Sequence, residues 1–332
     1  MFTEVNNIDI KSISCCVPKQ VYSIMEYAPD LLKTEKTAKR MAKSTGISSL
    51  RIAPDNVTTS DLFQKASEPI LNEIDRSEIG ALVFVTQTPD FDAPATSHIL
   101  QHKMGLSENT LCLDINEGCS GYVTGLYMAT MLADKLQAPI LLGAGDTCSK
   151  GTSPKDRATR CIFGDAATST LVTPGHHKAS FAFKSYGERW KAIIIENSAY
   201  RHVENPLNDG HTYLDGMAIM EFSLNEVPEV MESLIQKCNL VKDDIDLFAC
   251  HQANKLILTS LAQKLDVPAE KVPWVSEHVG NESSASIPMV LCNQPDMTVL
   301  KNVFCSGFGI GLSVGGCITD FSDTKTFGVN EL

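Results

Sequence analysis

The 332-residue chain has no apolar run that approaches membrane-spanning length, which argues against a bilayer-spanning helix. Its first residues, Met1-Phe2-Thr3-Glu4-Val5-Asn6, lack a basic region followed by an apolar core, so no signal peptide is expected. Positive charge is scarce. Lys and Arg number 28 against 40 Asp and Glu, and the net charge of −12 argues against nucleic-acid binding. CxxC pairs are absent, and the 11 cysteines are scattered without metal-ligand spacing. An odd, dispersed set fits reduced thiols in a cytoplasmic protein. His176-His177 is the only histidine pair. It follows Pro174-Gly175 and reads as part of a solvated loop rather than a metal site.

What is present looks globular. Charged residues make up 20% of the chain and hydrophobic ones 43%, enough at this length for one large two-lobed α/β unit. Short apolar runs at Ala81 to Val85, Leu111 to Ile115, Pro139 to Gly145 and Asp246 to Cys250 read as buried strands. Cys15-Cys16 sit in another strand-like segment. A helix pattern at Leu62 to Ile74 precedes an acidic turn and the strand Ala81 to Val85. A second helix pattern at Val227 to Cys238 precedes Val241-Lys242-Asp243-Asp244-Ile245 and the strand ending at Cys250. The repeat is too long for a solenoid. It predicts two similar lobes, residues 1–174 and 175–332, meeting near the looser stretch Thr173-Pro174-Gly175-His176-His177.

Three element ends carry reactive groups. Cys119 lies in Asp114-Ile115-Asn116-Glu117-Gly118-Cys119-Ser120-Gly121-Tyr122, between a strand pattern and a helix pattern. Small residues let the backbone turn sharply there. A helix N-terminus favours the thiolate, the nucleophilic form. Most free cysteines are buried and inert; two later segments point elsewhere. Leu247 to Ala249 leads into Cys250-His251-Gln252-Ala253-Asn254 and a helix pattern. Gly280-Asn281-Glu282-Ser283-Ser284-Ala285-Ser286 is a small, polar turn. Cysteine, histidine and asparagine at element ends make the nucleophile, proton or hydrogen-bond partner and polar orienter of acyl transfer.

Further segments occur in order: Ser44-Thr45-Gly46-Ile47, Thr59-Ser60-Asp61-Leu62, Thr88-Pro89-Asp90, Pro94-Ala95-Thr96, Phe163-Gly164-Asp165-Ala166-Ala167 and Ser306-Gly307-Phe308-Gly309. With these the chain resembles the ketoacyl-acyl-carrier-protein synthase III family of the thiolase superfamily along nearly its whole length. The resemblance implies the thiolase fold, five layers in α-β-α-β-α order, as a homodimer. It implies that Cys119 takes an acyl group from a thioester, and that a malonyl thioester is then decarboxylated and condensed onto it. His251 and Asn281 would steady the enolate oxygen, and the amides of Cys119 and Ile310 the acyl oxyanion. The substrates are coenzyme A or carrier-protein phosphopantetheine thioesters, so an acyl carrier protein is an expected partner. No metal or redox cofactor is required. In the family the residue at the Ala93 position reaches across the dimer to roof the acyl pocket. Phenylalanine there accompanies short acyl groups, so Ala93 implies a larger primer unless the neighbouring Phe91 restores the roof.

The departures matter as well. Many members carry tryptophan at the Arg40 position and arginine at the Ser44 position to hold adenine. Here the tryptophans are Trp190 and Trp274, and Arg40, Lys39 and Lys43 are either substitutes or ordinary solvated helix charges. Positions where the family places basic residues for the carrier protein include Glu221, Leu256 and Gln263, with Lys255 and Lys264 retained nearby. Together with Glu117-Gly118, this points to a specialised synthase. Two other reactions fit the nucleophile: an aldol condensation resembling hydroxymethylglutaryl-CoA synthase, and acyl transfer from Cys119 to oxygen or nitrogen without decarboxylation. The first needs a carboxylate base near Thr86-Gln87-Thr88, where Gln87 is neutral. A non-catalytic partner subunit is disfavoured by the intact Cys-His-Asn set.

Overall fold

Ala81–Val85 and Leu111–Ile115 form strands within the bounds set by their apolar runs, and they lie parallel to one another. The computed structural model describes residues 1–332. Nine strands join in one hydrogen-bonded system. Seven follow the order Leu247–Cys250, Val303–Gly309, Ser313–Thr319, Asp165–Ser185, Ile140–Thr147, Ala81–Val85, Leu111–Ile115. Phe2–Val17 runs antiparallel along Asp165–Ser185, and Lys325–Glu331 pairs with it in parallel.

The layers follow from side-chain alternation, because successive strand residues face opposite ways. Ala81, Val83 and Val85 enter one core while Leu82 and Phe84 enter another. The first core holds the helices Gly121–Leu136 and Ser286–Cys292 through Tyr122, Leu126, Ile287 and Leu291, and it also receives Leu247, Ala249, Val303 and Cys305. The second packs Thr59–Leu71 through Leu62, Phe63 and Ile70. A third buries Phe248 and Phe304 against Gly216–Lys237 and Lys255–Leu265. Three cores between helix, sheet, central helices, sheet and helix give the five-layer thiolase fold. Each large apolar side chain so buried contributes roughly 1.5–3 kcal/mol.

The internal repeat is visible. Thr59–Leu71, the turn Arg76–Glu78 and Ala81–Val85 match Gly216–Lys237, Lys242–Asp244 and Leu247–Cys250 in order and direction. The later helix starts eleven residues before the expected Val227. Asp215 caps it, accepting from the amides of Met217 and Ala218, and the helix then continues through Pro228.

One expectation fails. Thr173 to His177 is not a loop. It lies inside the 21-residue strand Asp165–Ser185, whose two halves serve the two halves of the sheet. The boundary placed at 174/175 therefore falls within a shared strand. Pro-Gly-His-His resembles a turn locally, yet it runs beside Phe2–Val17 through an irregular register at Ile8, and the Asp9 carboxylate accepts from the amides of His176 and His177. No helix is long and apolar enough to cross a membrane.

Candidate active site

A cavity of about 1040 Å³ of atom-free space, open mouth included, brings Cys119, His251, Asn281 and Ile310 together. Cys119 stands in the turn between Leu111–Ile115 and Gly121–Leu136. His251 follows Leu247–Cys250, and its amide donates to the Ser306 carbonyl at 2.8 Å. Asn281 is pinned by its backbone: its amide donates to the Ile162 carbonyl at 2.8 Å, and its carbonyl accepts from the Gly164 amide at 3.2 Å.

The turns are shaped by close approach. A Cβ on Gly309 would lie 2.8 Å from Cys119 Cβ and 3.2 Å from its sulfur, and φ there is +147°. A Cβ on Gly118 would stand 2.3 Å from Gln87 Oε1. These glycines bring the Ile310 amide within hydrogen-bonding reach of the Cys119 sulfur. The site thus has a backbone donor beside the nucleophile, as an oxyanion requires.

The thiolate expectation is corrected. Burial pushes the Cys119 thiol up to about 11, and the Asp146 carboxylate adds to this. Hydrogen bonds from the Ile310 amide and Ser283 act the other way without prevailing. The resting nucleophile is therefore a thiol at neutral pH, because desolvation outweighs the hydrogen bonds that favour the thiolate. His251 is buried, and burial lowers it to about 4, so its imidazole is neutral.

The hydrogen bonds around His251 define its resting tautomer. Ser286 Oγ donates to the Ser283 carbonyl at 2.7 Å and lies 2.8 Å from His251 Nδ1. One hydroxyl has one proton, so Nδ1 is the donor to Oγ, and Nε2 keeps its lone pair. Asn281 Oδ1 accepts from the Ser283 amide at 3.0 Å. Its Nδ2 makes a single long contact, 3.5 Å to the Ala253 carbonyl, and so has donor capacity to spare.

Other expected residues fall elsewhere. Phe91 is 62% exposed and Ala93 is exposed; neither lines this chain's cavity. Arg40 is exposed on the helix Glu35–Thr45, and Lys39 there pairs with Glu35 at 3.5 Å. Within His251-Gln252-Ala253-Asn254, Gln252 is scaffolding. It donates to the carbonyls of Cys250 and Pro273 and accepts from the Val275 amide. Asn254 caps the helix Lys255–Leu265, accepting from the Ile257 amide at 2.9 Å.

Several residues were not foreseen. Asp146 is fully buried and accepts from the Gln87 amide at 2.7 Å, from Thr86 Oγ1 at 3.1 Å and from Ser284 Oγ at 3.1 Å. Its sequence signal is a lone acid at the end of the apolar run Ile140 to Gly145. Ser283, at φ +49°, lies within hydrogen-bonding reach of Cys119, Asp146 and Cys148. Glu282 is buried against Ser276, and burial raises its carboxyl to about 8. The cavity walls are otherwise largely apolar, with Ile193, Leu214, Ile219, Met220, Ile257 and Phe308 among them beside the polar Gln87, Thr88, Thr212 and Asn254. No Asp, Glu, Lys or Arg of this chain lines the cavity.

Two family models match the chain: 3-Oxoacyl-[acyl-carrier-protein (ACP)] synthase III over residues 113–187, and 3-Oxoacyl-[acyl-carrier-protein (ACP)] synthase III C terminal over residues 235–321. A beta-ketoacyl-[acyl-carrier-protein] synthase III 2 of Halalkalibacterium halodurans is 31% identical over 317 residues, covering 90% of this chain and 95% of that one. A beta-ketoacyl-[acyl-carrier-protein] synthase III of Streptococcus agalactiae is 32% identical over 321 residues, covering 90% and 98%. Among solved structures, a 3-oxoacyl-(acyl-carrier protein) synthase from Burkholderia xenovorans superposes with a TM-score of 0.95 at 29% identity, over 100% of this chain and 99% of that one.

Proposed function

Since the chain belongs to the 3-oxoacyl-[acyl-carrier-protein] synthase III family, we propose that Cys119, His251 and Asn281 carry out its decarboxylative condensation of an acyl group with a malonyl thioester. The observation that supports the assignment is their convergence, with the Ile310 amide, on one apolar cavity.

In the first half-reaction the Cys119 sulfur bonds to the acyl carbonyl carbon, and the bond to the donor sulfur breaks. The proton of the thiol ends on the departing thiol. His251 Nε2, unprotonated in the resting tautomer, is suited to carry it. The amides of Cys119 and Ile310 hold the oxyanion. In the second, the malonyl carbon–carboxylate bond breaks, carbon dioxide leaves, and its electron pair becomes the enolate. Asn281 Nδ2 donates to the enolate oxygen. His251 must now present a proton at Nε2, so it takes one from solvent there and releases the one on Nδ1. The Ser286 hydroxyl allows this by turning from the Ser283 carbonyl to Nδ1. Ser286 is thus a positioning residue for both tautomers. The carbanion then attacks acyl-Cys119, the bond from the acyl carbon to the Cys119 sulfur breaks, the 3-oxoacyl thioester forms, and the released thiolate takes one proton from solvent to regain the thiol. None of these steps calls on a metal or redox cofactor.

The lining supports this reading over the aldol alternative, because Gln87 is neutral and the cavity holds no carboxylate of this chain. The donor capacity left on Asn281 favours an enolate over simple transfer to oxygen or nitrogen. The finer proposals are a homodimer, an acyl-carrier-protein partner and a cytoplasmic location. The sheet ends at Leu111–Ile115, where Leu111 is 49% exposed, an edge suited to pairing with a second copy. Coenzyme A or phosphopantetheine thioesters enter as substrates. All 11 cysteines are free thiols, which supports a reducing compartment.

The test separates the half-reactions. Acyl-CoA and acyl-carrier thioesters are offered, the mass added to Cys119 is read, and malonyl thioester follows. Cys119→Ser should form no adduct. Asn281→Ala should acylate nearly as wild type yet lose decarboxylation by roughly 10²-fold or more. An adduct mapped to Cys148 or Cys250, or equal loss of both steps in Asn281→Ala, overturns the assignment.

A further inference from the structure

A charged side chain is rarely closed off from water unless a partner neutralises it. Glu282 is closed off completely. It is 0% exposed, and it stands between Asn281 and Ser283 in the turn that leads to Ser286. No cation acts on its carboxyl. The titratable groups that face it are thiols: Cys15 of the strand Phe2–Val17 feels its charge, and Cys292 of the helix Ser286–Cys292 pairs with Cys15. Charged and titratable neighbours on the adjoining segments are engaged elsewhere. Glu277 accepts from the Ser48 hydroxyl, His278 Nδ1 pairs with Ser49, Arg51 reaches the Pro18 carbonyl and Glu331, and Asp146 is held by Thr86, Ser284 and the Gln87 amide.

The side-chain partner of Glu282 is Ser276, whose Oγ lies 2.8 Å from Oε1 and 3.0 Å from Oε2. A serine hydroxyl has a single proton to share between those two oxygens. A neutral carboxylic acid completes both contacts, because its own O–H donates back to Oγ while its other oxygen accepts. Burial favours the same form. It raises the carboxyl to about 8, so the group is an acid and not a carboxylate at pH 7. Ser276 is a firm anchor. Its carbonyl accepts from the amides of Val279 and Gly280, and the Val275 amide before it donates to Gln252 Oε1.

What this pair holds in place is the site itself. Ser283, the next residue, sits at φ +49°, a left-handed conformation that costs energy for a residue with a Cβ and must be held by its surroundings. The Ser283 amide donates to Asn281 Oδ1 at 3.0 Å and so aims the Asn281 amide group. The Ser283 carbonyl accepts from the Ser286 hydroxyl that lies against His251 Nδ1. We propose that Glu282 is a positioning residue for the decarboxylation: its neutral carboxyl, paired with Ser276, fixes the Asn281–Ser283 turn, and loss of its proton releases that turn. The proposal rests on the condensation assigned above to Cys119, His251 and Asn281. Glu282 does not line the Cys119 cavity, so it acts through its neighbours. A carboxylate at this place has neither water nor a cation, so the turn must open to hydrate it.

The test uses the full-length enzyme acylated on Cys119 at pH 7, then shifted in pH, and reads carbon dioxide released from a malonyl thioester. Wild type should lose rate above about pH 8, approaching tenfold per unit. Glu282→Gln stays neutral at every pH and can donate and accept at Ser276. It should keep the pH 7 rate within about threefold and show no such fall. Glu282→Ala removes the anchor and should slow decarboxylation at pH 7 by roughly tenfold or more; if it does not fold, the glutamine variant decides. Infrared difference spectra, wild type minus Glu282→Gln, should show the carbonyl stretch of a neutral carboxylic acid at pH 7, fading near pH 8. Melting gives the same sign. The unfolded chain ionises this carboxyl near 4.5 and the fold keeps it neutral to about 8, so wild type should lose melting temperature relative to Glu282→Gln as pH rises between those values. A fall in rate that persists in Glu282→Gln, no fall in wild type, or no acid band at pH 7 overturns the proposal. A wild type that shows the band, takes the acyl group and yet releases no carbon dioxide overturns the condensation itself.

Discussion

At the residue scale the site is governed by desolvation. Cys119 was expected to be a thiolate because a helix begins two residues later. Aligned peptides favour charge at such a position, but enclosure and the Asp146 carboxylate outweigh the hydrogen bonds to the sulfur and push the thiol up to about 11. Below that value the thiolate fraction falls tenfold per pH unit, to roughly one part in 10⁴ at pH 7. Alkylation of Cys119 by iodoacetamide should therefore be slow at pH 7 and rise close to tenfold per unit between pH 7 and 10. A rate already level above pH 7 would refute this and restore the helix-activated thiolate. Acylation should follow a different profile. It needs neutral His251, which burial holds at about 4, so its acid limb should fall near pH 4 and not near 6.5. Stopped-flow acylation after a pH jump reads that limb directly.

At the element scale the site is made by turns, and the turns are made by small residues. Gly309 ends the strand Val303–Gly309 at φ +147°, and any Cβ there would press on Cys119. Gly309→Ala should lower the acylation rate by at least tenfold through strain and displacement of the neighbouring Ile310 amide, with a stability loss of about 1–3 kcal/mol. Adduct formation by mass spectrometry together with thermal melting checks both; an unchanged acylation rate would remove Ile310 from the oxyanion site. The elements differ in how readable they were. Buried strands appear as continuous apolar runs, so Ala81–Val85 was legible to the residue; Leu111–Ile115 has the expected bounds but is the exposed edge of the sheet, with none of its residues buried. The first half of Gly216–Lys237 was not, because Pro228 looks like a helix start although the helix passes through it. Thr173 to His177 was misread because its residues favour a turn, while a distant strand supplies the pairing that keeps it extended.

At the scale of the whole molecule, the residues implied as the roof of the acyl pocket do not line the cavity of their own chain. Ala93 and the 62%-exposed Phe91 stand away from the cavity they were expected to roof. In the homodimer proposed above, they would fill that role for a second copy docked at the Leu111–Ile115 edge. A methyl at position 93 in place of a phenyl ring then leaves room for a longer primer, and each further buried methylene contributes roughly 0.8 kcal/mol. Wild type should prefer hexanoyl or larger thioesters over acetyl by more than tenfold. Ala93→Phe should slow the larger primers at least tenfold and spare acetyl. If wild type takes acetyl far better than hexanoyl, the open-pocket reading fails. If the chain is a monomer by light scattering at micromolar concentration, the cross-dimer roof fails.

The sequence alone carried the ordered motifs around Cys119, His251 and Asn281, the repeated helix-turn-strand unit and the family to which they belong. Those signals are local: an apolar run, a small-residue turn, a reactive side chain at a strand end. What the tertiary structure decided is what lies beside each of them. Asp146 and the Ser283 to Ser286 segment lie far apart in the chain, and each of these is an ordinary polar residue until folding brings it against Cys119 or His251. The protonation of the site belongs to the same class. A pKa depends on the water removed and the charges brought near, and neither exists until the chain is packed. For the same reason His176 and His177 read as a solvated pair in the sequence, and face three aspartates only once an irregular strand register turns them the same way.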